Sequence, residues 1–262
     1  MRIRISEEQH RDIRQWFVDF TEGFRSLDPE IRRNIEIKKL HTRKVCREIL
    51  DIGEKLGLDG DELRLAEIIA LLHDTGRFPQ YAHYGTFKDS ESENHASLGI
   101  RVIKDQNVLA SLDELPREII LHAITFHNRL ALPGDGEEPF IFYQKLIRDA
   151  DKLDIWRVVL DYYYRRDPAR NNAIELDFPD SPGYSARVIQ DLRNEKIVDM
   201  THVRNMNDFK LLQMGWIFDI NFTPTRERIA ERRYLQRLRA VLPPSDEIDT
   251  ILDKILGILL NC

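Results

Sequence analysis

The chain has only two cysteines, Cys46 and Cys262, in 262 residues. Two thiols build no disulfide framework, so a reducing, cytoplasmic setting is the expectation. No apolar run approaches the length of a membrane span, and no secretory leader is visible. Internal repeats and low-complexity tracts are missing. Runs of alternating apolar and polar residues are missing as well, which removes the usual mark of half-buried strands. The opening Met1-Arg2-Ile3-Arg4-Ile5 is too short to build a sheet. Positive charge is in deficit: the net charge is −6, which argues against a long nucleic acid as partner. A local cationic pocket for a nucleotide remains compatible with that total. What is present, 42% hydrophobic and 32% charged residues, describes a globular chain. Its length suits one full domain with an appendage, or two packed lobes.

The organising stretch is Leu71-Leu72-His73-Asp74-Thr75-Gly76-Arg77. Residues 63–72 before it are apolar on nearly every side, which predicts a buried helix. His73 and Asp74 emerge at its inner end, and Gly76 offers the chain a way out of the helix. A buried carboxylate costs several kcal/mol or more unless it is paired or coordinates a metal. Imidazole beside carboxylate is a common metal pair.

Further ligands should then lie on inward stripes of other helices. Ser6 with Gln9 is a capping-box pattern opening a helix to about Phe24. Asp28-Pro29 opens the next, whose stripe reads Ile37, His41, Val45, Ile49, Ile52, Leu56 before Gly57 ends it. Residues 77–92 show no helical period and read as a loop rich in aromatics, with His83 facing solvent. Ser90 with Glu93 is expected to cap a helix carrying His95, Leu98 and Val102. Pro116 is expected to open one carrying Ile120, Ala123, Ile124 and His127. His122 lies about 140° from His127 on the same wheel and reads as a packing residue. A turn at 132–136 leads to a helix from about Pro139 to Tyr164, whose stripe is Ile147, Asp151, Asp154, Val158. Asp149 faces elsewhere, toward solvent or an ion pair. Five helices thus turn His41, His73, Asp74, His95, His127 and Asp151 inward. Such a core is expensive unless a cation satisfies its members.

The order His41, His73-Asp74 and Asp151, the last within Ala150-Asp151-Lys152, resembles the signature of the HD-domain metal-dependent phosphohydrolase superfamily. His95 in Asn94-His95-Ala96-Ser97-Leu98-Gly99 and His127 in Ala123-Ile124-Thr125-Phe126-His127-Asn128 resemble the extra histidines of its binuclear branches. The likeness covers about residues 30–165. It implies an all-α helical bundle: a metal-binding domain at 1–165 and a C-terminal helical extension at 166–262 packed on the core. It implies one metal held by residues like His41, His73, Asp74 and Asp151. Asp74 would bridge to a second metal held by His95 and His127. Two divalent cations per chain are expected, with Mn, Fe, Co, Zn and Mg not distinguished.

Two cations a few ångströms apart share a hydroxide, lower the pKa of its parent water and neutralise phosphate charge. Phosphoryl transfer asks mainly for positioning and positive potential. Arg77 is the candidate phosphate clamp and, with Asp74, the expected catalytic pair; Thr75, Arg77 and Lys152 are candidate substrate contacts. Lys44 is a further cationic candidate. The expected substrate is a nucleotide or other small phosphoester, with no membrane partner. Beyond residue 165 a polar, turn-rich stretch, Asn171 to Gly183, with Pro168, Pro179 and Pro182, precedes helices at about 184–194, 195–221, 224–241 and 245–260. The cluster Trp216, Ile217, Phe218, Ile220, Phe222 packs these helices, with a homodimer face as the alternative. Two rival functions stay open. A di-iron oxygenase of a related branch would use the same ligands, and a non-catalytic metal-binding regulator would need no open metal position.

Overall fold

A computed structural model of the chain describes residues 3–26, 28–132, 137–165 and 170–260. Among them the structure is all-α with no strand, the expected class. No described helix is long and apolar enough to cross a membrane. Met1, Arg2, the turn residues 133–136, Pro168 and Cys262 lie outside the described residues.

The chain divides into two compact units, Met1–Asp154 and Ile155–Cys262. The first contains α1 (Glu7–Glu22), α2 (Pro29–Lys55), α3 (Gly60–Leu72), α4 (Arg77–Tyr84), α5 (His95–Asp105), α6 (Glu114–Phe126) and most of α7 (Phe140–Tyr163). Local chemistry sets the starts of its early helices. Ser6 and Gln9 form the capping box of α1, and Asp28 caps α2 with Pro29 behind it. Asp59 and Glu62 form a second capping box on α3. That helix is the centre of the unit: every residue from Leu65 to Leu72 is buried. Each fully buried Ile or Leu there stabilises the fold by about 1.5–3 kcal/mol. Glu67, the one charged residue in that run, is paired with His10 and Arg14.

Three expectations need correction. Residues 77–84 are helical, not loop; the loop begins at Gly85, whose φ of +67° ends α4. The apolar side of α4, Phe78 and Tyr81, is buried, but eight residues are too few for a period to stand out. The helix bearing His95 starts later than Ser90 predicts, because Asn94 accepts from the Ser97 amide and caps it. A short 3-10 turn covers Asp89–Glu91. Pro116 sits in the first turn of α6 and does not open it; Asp113 is the N-cap.

In the second unit the described helices are α8 (Asn172–Glu175), α9 (Ala186–Arg193), α10 (Met206–Gly215), α11 (Thr223–Glu231), α12 (Tyr234–Ala240) and α13 (Asp246–Leu260). The single helix expected over 195–221 is broken. Glu195 has φ +56°, and Asp199 and Asn205 capture the amides of Thr201 and Asp208. Those side chains start new helices in place of continuing an old one. The helix expected over 224–241 is interrupted at Arg233, φ +53°. Ile217 and Ile220 of the apolar cluster are buried, and Trp216 packs on Trp156 with ring centroids 5.9 Å apart.

Candidate metal centre

Each of the six residues stands where an element delivers it. His41 is on the buried face of α2, and His73 is the C-cap of α3 with Asp74 beside it. His95 is the first residue of α5, His127 the C-cap of α6, and Asp151 lies within α7. All are buried except Asp151, whose side chain is 16% exposed.

They fall into two groups, His41, His73, Asp151 and Asp74, His95, His127, with the ligand-type atoms of each group within 4.8 Å of one another. Asp74 joins them. Its Oδ2 lies 3.7 Å from both His41 Nε2 and His73 Nε2. Its Oδ1 lies 3.5 Å from His95 Nε2 and 3.9 Å from His127 Nε2. One carboxylate therefore turns one oxygen to each group.

The imidazoles are pre-set for this. His41 Nδ1 donates to Asp154 (2.8 Å) and His73 Nδ1 to the Ala70 carbonyl (2.7 Å). His95 Nδ1 donates to Asp89 (2.8 Å) and His127 Nδ1 to the Ile124 carbonyl (2.7 Å). These oxygens only accept, so Nδ1 carries a proton on every ring and every Nε2 is turned to the centre. His95 Nε2 and His127 Nε2 are only 3.0 Å apart. Burial, with Arg77 nearby, pushes His95 down, and burial followed by His95 and His73 brings His127 down to about 3. Both rings are neutral at pH 7, and two lone pairs oppose each other. A cation relieves that opposition.

The other group makes the same demand in another way. His41 Nε2, His73 Nε2 and Asp151 Oδ1 are buried with no aligned hydrogen bond, although His41 Nε2 lies only 3.0 Å from the carboxylate oxygen. An orphan such as His73 Nε2 costs about 1–3 kcal/mol. Burial lowers the His41 pKa, but the carboxylates of Asp151 and Asp154 outweigh it and bring it up to about 9. Burial raises Asp74, yet Lys38, His73, Arg77 and His95 hold it well below the carboxylate range. Lone-pair donors, orphaned atoms and an ionised central carboxylate fit a divalent cation.

The other expected residues are placed as follows. The Arg77 Nη1 donates to Gln80, the Phe87 carbonyl and Asp89, while its Nε stands 3.6 Å from Asp74 Oδ1. Thr75 is wholly buried with an unbonded hydroxyl. Lys152 is buried, its ammonium 3.4 Å from the Arg148 carbonyl. Asp149 is fully buried and does not face solvent. His122 bonds Gln144 outside the groups, and His83 is exposed.

Two residues at the centre, Lys38 and Asp89, escaped the sequence reading, and a third, Asp154, was placed on the inward stripe without a role. Lys38 places Nζ 2.7 Å from Asp74 Oδ2; its spacing of three from His41 on α2 is a usable signal. Asp154, one turn past Asp151, holds His41. Asp89 lies in an aperiodic segment and carries no signal.

Gly76 also has a different role from the one expected. Its φ of −67° and ψ of −19° are helical. A Cβ there would lie 2.0 Å from the His95 carbonyl oxygen and 2.6 Å from the Gly99 amide. The glycine lets the turn after Asp74 touch the start of α5, and so brings Asp74 to His95.

Helices that deliver imidazoles and carboxylates to one buried carboxylate define an all-α protein built around a His/Asp centre. The family model of the HD domain matches residues 40–156, so this segment of the chain is an HD domain. The matched segment contains all six residues. No match was found among curated proteins or solved structures. HD domains are of the metal-dependent phosphohydrolase type, and the two His/Asp groups are of a kind that could hold a metal ion.

Proposed function

We propose that the chain is a metal-dependent phosphohydrolase that uses two divalent cations on a nucleotide or other small phosphoester. The observation that carries this reading is Asp74, one oxygen toward each His/Asp group and a lysine ammonium against it. In this reading His41, His73 and Asp151 hold one cation, His95 and His127 the other, and Asp74 bridges both. The cations, when bound, acidify water and neutralise phosphate charge.

The chain's own residues do the rest. Asp154 keeps the proton on His41 Nδ1 and so directs Nε2 inward. The Lys38 side chain is 18% exposed and carries its ammonium to Asp74, which makes it a candidate partner for a phosphate oxygen at the same place. Arg77 adds positive potential at Asp74, but its Nη1 is engaged with residues 80–89, which favours Lys38 as the phosphate contact. Burial of the donors keeps the centre in a low-dielectric setting where fixed charges act strongly.

The test is metal analysis on anaerobically prepared protein, then a phosphate-release screen with Mn and Fe over nucleotides and simple phosphoesters. Release by the Mn-loaded protein is expected. Oxygen consumption by the iron form alone would replace the hydrolase with a di-iron oxygenase. Metal uptake with neither activity would leave a regulatory metal-binding protein.

A further inference from the structure

The four histidines do not obtain their Nδ1 partners in the same way. His73 and His127 sit at helix C-termini and use the carbonyl three residues back, Ala70 and Ile124. His41 uses Asp154 from α7. His95 is the first residue of its helix, so no preceding turn supplies a carbonyl. Its acceptor is Asp89, at 2.9 and 2.8 Å from the two carboxylate oxygens.

Asp89 is itself held by four further donors. Arg77 Nη1 (3.0 Å) and Gln80 Nε2 (2.9 Å) donate from α4. Asn94 Nδ2 (3.3 Å) and Asn128 Nδ2 (3.4 Å) donate from beside His95 and His127. An ionised carboxylate offers about four lone-pair positions, so these donors saturate it and fix its rotamer. The segment that carries it is pinned by the same side chains. Arg77 also donates to the Phe87 carbonyl, and fully buried Gln80 to Ser92 Oγ and the Glu93 carbonyl. A carboxylate on a three-residue 3-10 turn thus acquires the rigidity of α4.

We propose that Asp89 is the positioning residue of the Asp74/His95/His127 group, setting its divalent-cation affinity through His95 and leaving the His41/His73/Asp151 group unchanged. The inference rests on the two-cation reading above. It assigns Arg77 a second task, that of holding Asp89. A partner of this kind is worth about 10–100-fold in metal affinity.

The test is Mn(II) titration of the chelator-stripped full chain, followed by calorimetry and by electron paramagnetic resonance. In D89A the first Mn should bind as in wild type, and the second about 10–100-fold more weakly. At two equivalents the exchange-coupled signal of a manganese pair should give way to a mononuclear six-line signal. D89N keeps the shape and one acceptor oxygen, so it should fall between D89A and wild type and keeps the test valid should D89A not fold. Two Mn bound by both variants with wild-type affinity would overturn the proposal, as would equal weakening of both sites. A wild-type chain that never takes a second Mn overturns the two-cation reading itself, and is told apart by appearing before any substitution.

Discussion

At the scale of single residues the centre is a charge arrangement that a bound cation would complete. Lys38 and Asp74 form an ion pair at 2.7 Å, with Asp74 buried and the Lys38 side chain partly exposed. A charge-assisted contact of this kind contributes about 1.5–3 kcal/mol. Lys38→Met should therefore lower kcat/KM for a phosphoester by about tenfold or more, with metal content close to wild type. Unchanged hydrolysis would remove Lys38 from substrate binding. His41 gives a pH dependence whose sign is fixed. With no cation bound its folded pKa is raised to about 9 from an ordinary 6.5. Its stabilising contribution is then complete below about pH 6.5 and fades as pH rises toward 9. Cation binding to Nε2 must expel that proton, so affinity should rise with pH through the same window. Thermal unfolding of chelator-treated protein between pH 6 and 9 should show the decline, and the loaded protein should not. A flat profile for the metal-free chain would contradict the ion-pair picture of His41.

At the scale of elements, two packing features admit sharp tests. The turn after α3 and the start of α5 meet through Gly76, where a Cβ would overlap backbone atoms that cannot swing away. Gly76→Ala should cost about 3 kcal/mol, the upper end for overpacking, read as a lower urea midpoint at unchanged m value. Near-wild-type stability would mean that the two segments can separate. On the buried face of α2, burial first and Glu67 second push the Cys46 thiol well above its usual range. In a Cys262→Ser background the native protein should resist iodoacetamide at pH 8 and react fully in urea. Rapid labelling of the native chain would show that α2 opens locally. The helices themselves were largely readable. Ser6 with Gln9, and Asp28 with Pro29, name their own helix starts, because capping is settled within four residues of chain. The breaks at Glu195 and Arg233 were not readable, because left-handed backbone at residues other than glycine leaves no clear mark on a pattern.

At the scale of the whole molecule, cation binding and folding should be one equilibrium. Six ligand-type residues delivered by five helices come together only in the folded chain, so a cation bound there would stabilise the native state by mass action. At a thousandfold excess over Kd that amounts to about 4 kcal/mol. Saturating Mn should raise the melting temperature of the chelator-treated protein by several degrees, and the same excess of Ca, for which imidazole is a poor ligand, by much less. Equal shifts for both ions would point to surface carboxylates. What the sequence by itself determined was the all-α class and the inward direction of His41, His73, Asp74, His95, His127 and Asp151. Helical period is local, and a polar residue on an apolar stripe declares its direction wherever the helix goes. Only the tertiary structure decided which oxygen of Asp74 faces which histidine and that Lys38 meets it. It also decided that Asp154 and Asp89 hold two of the rings, and that Gly76 serves contact, not turn geometry. These depend on which helix faces which and on separations as large as the 113 residues between His41 and Asp154. No local pattern encodes such pairings, because the free energy that selects them arises only when the helices pack.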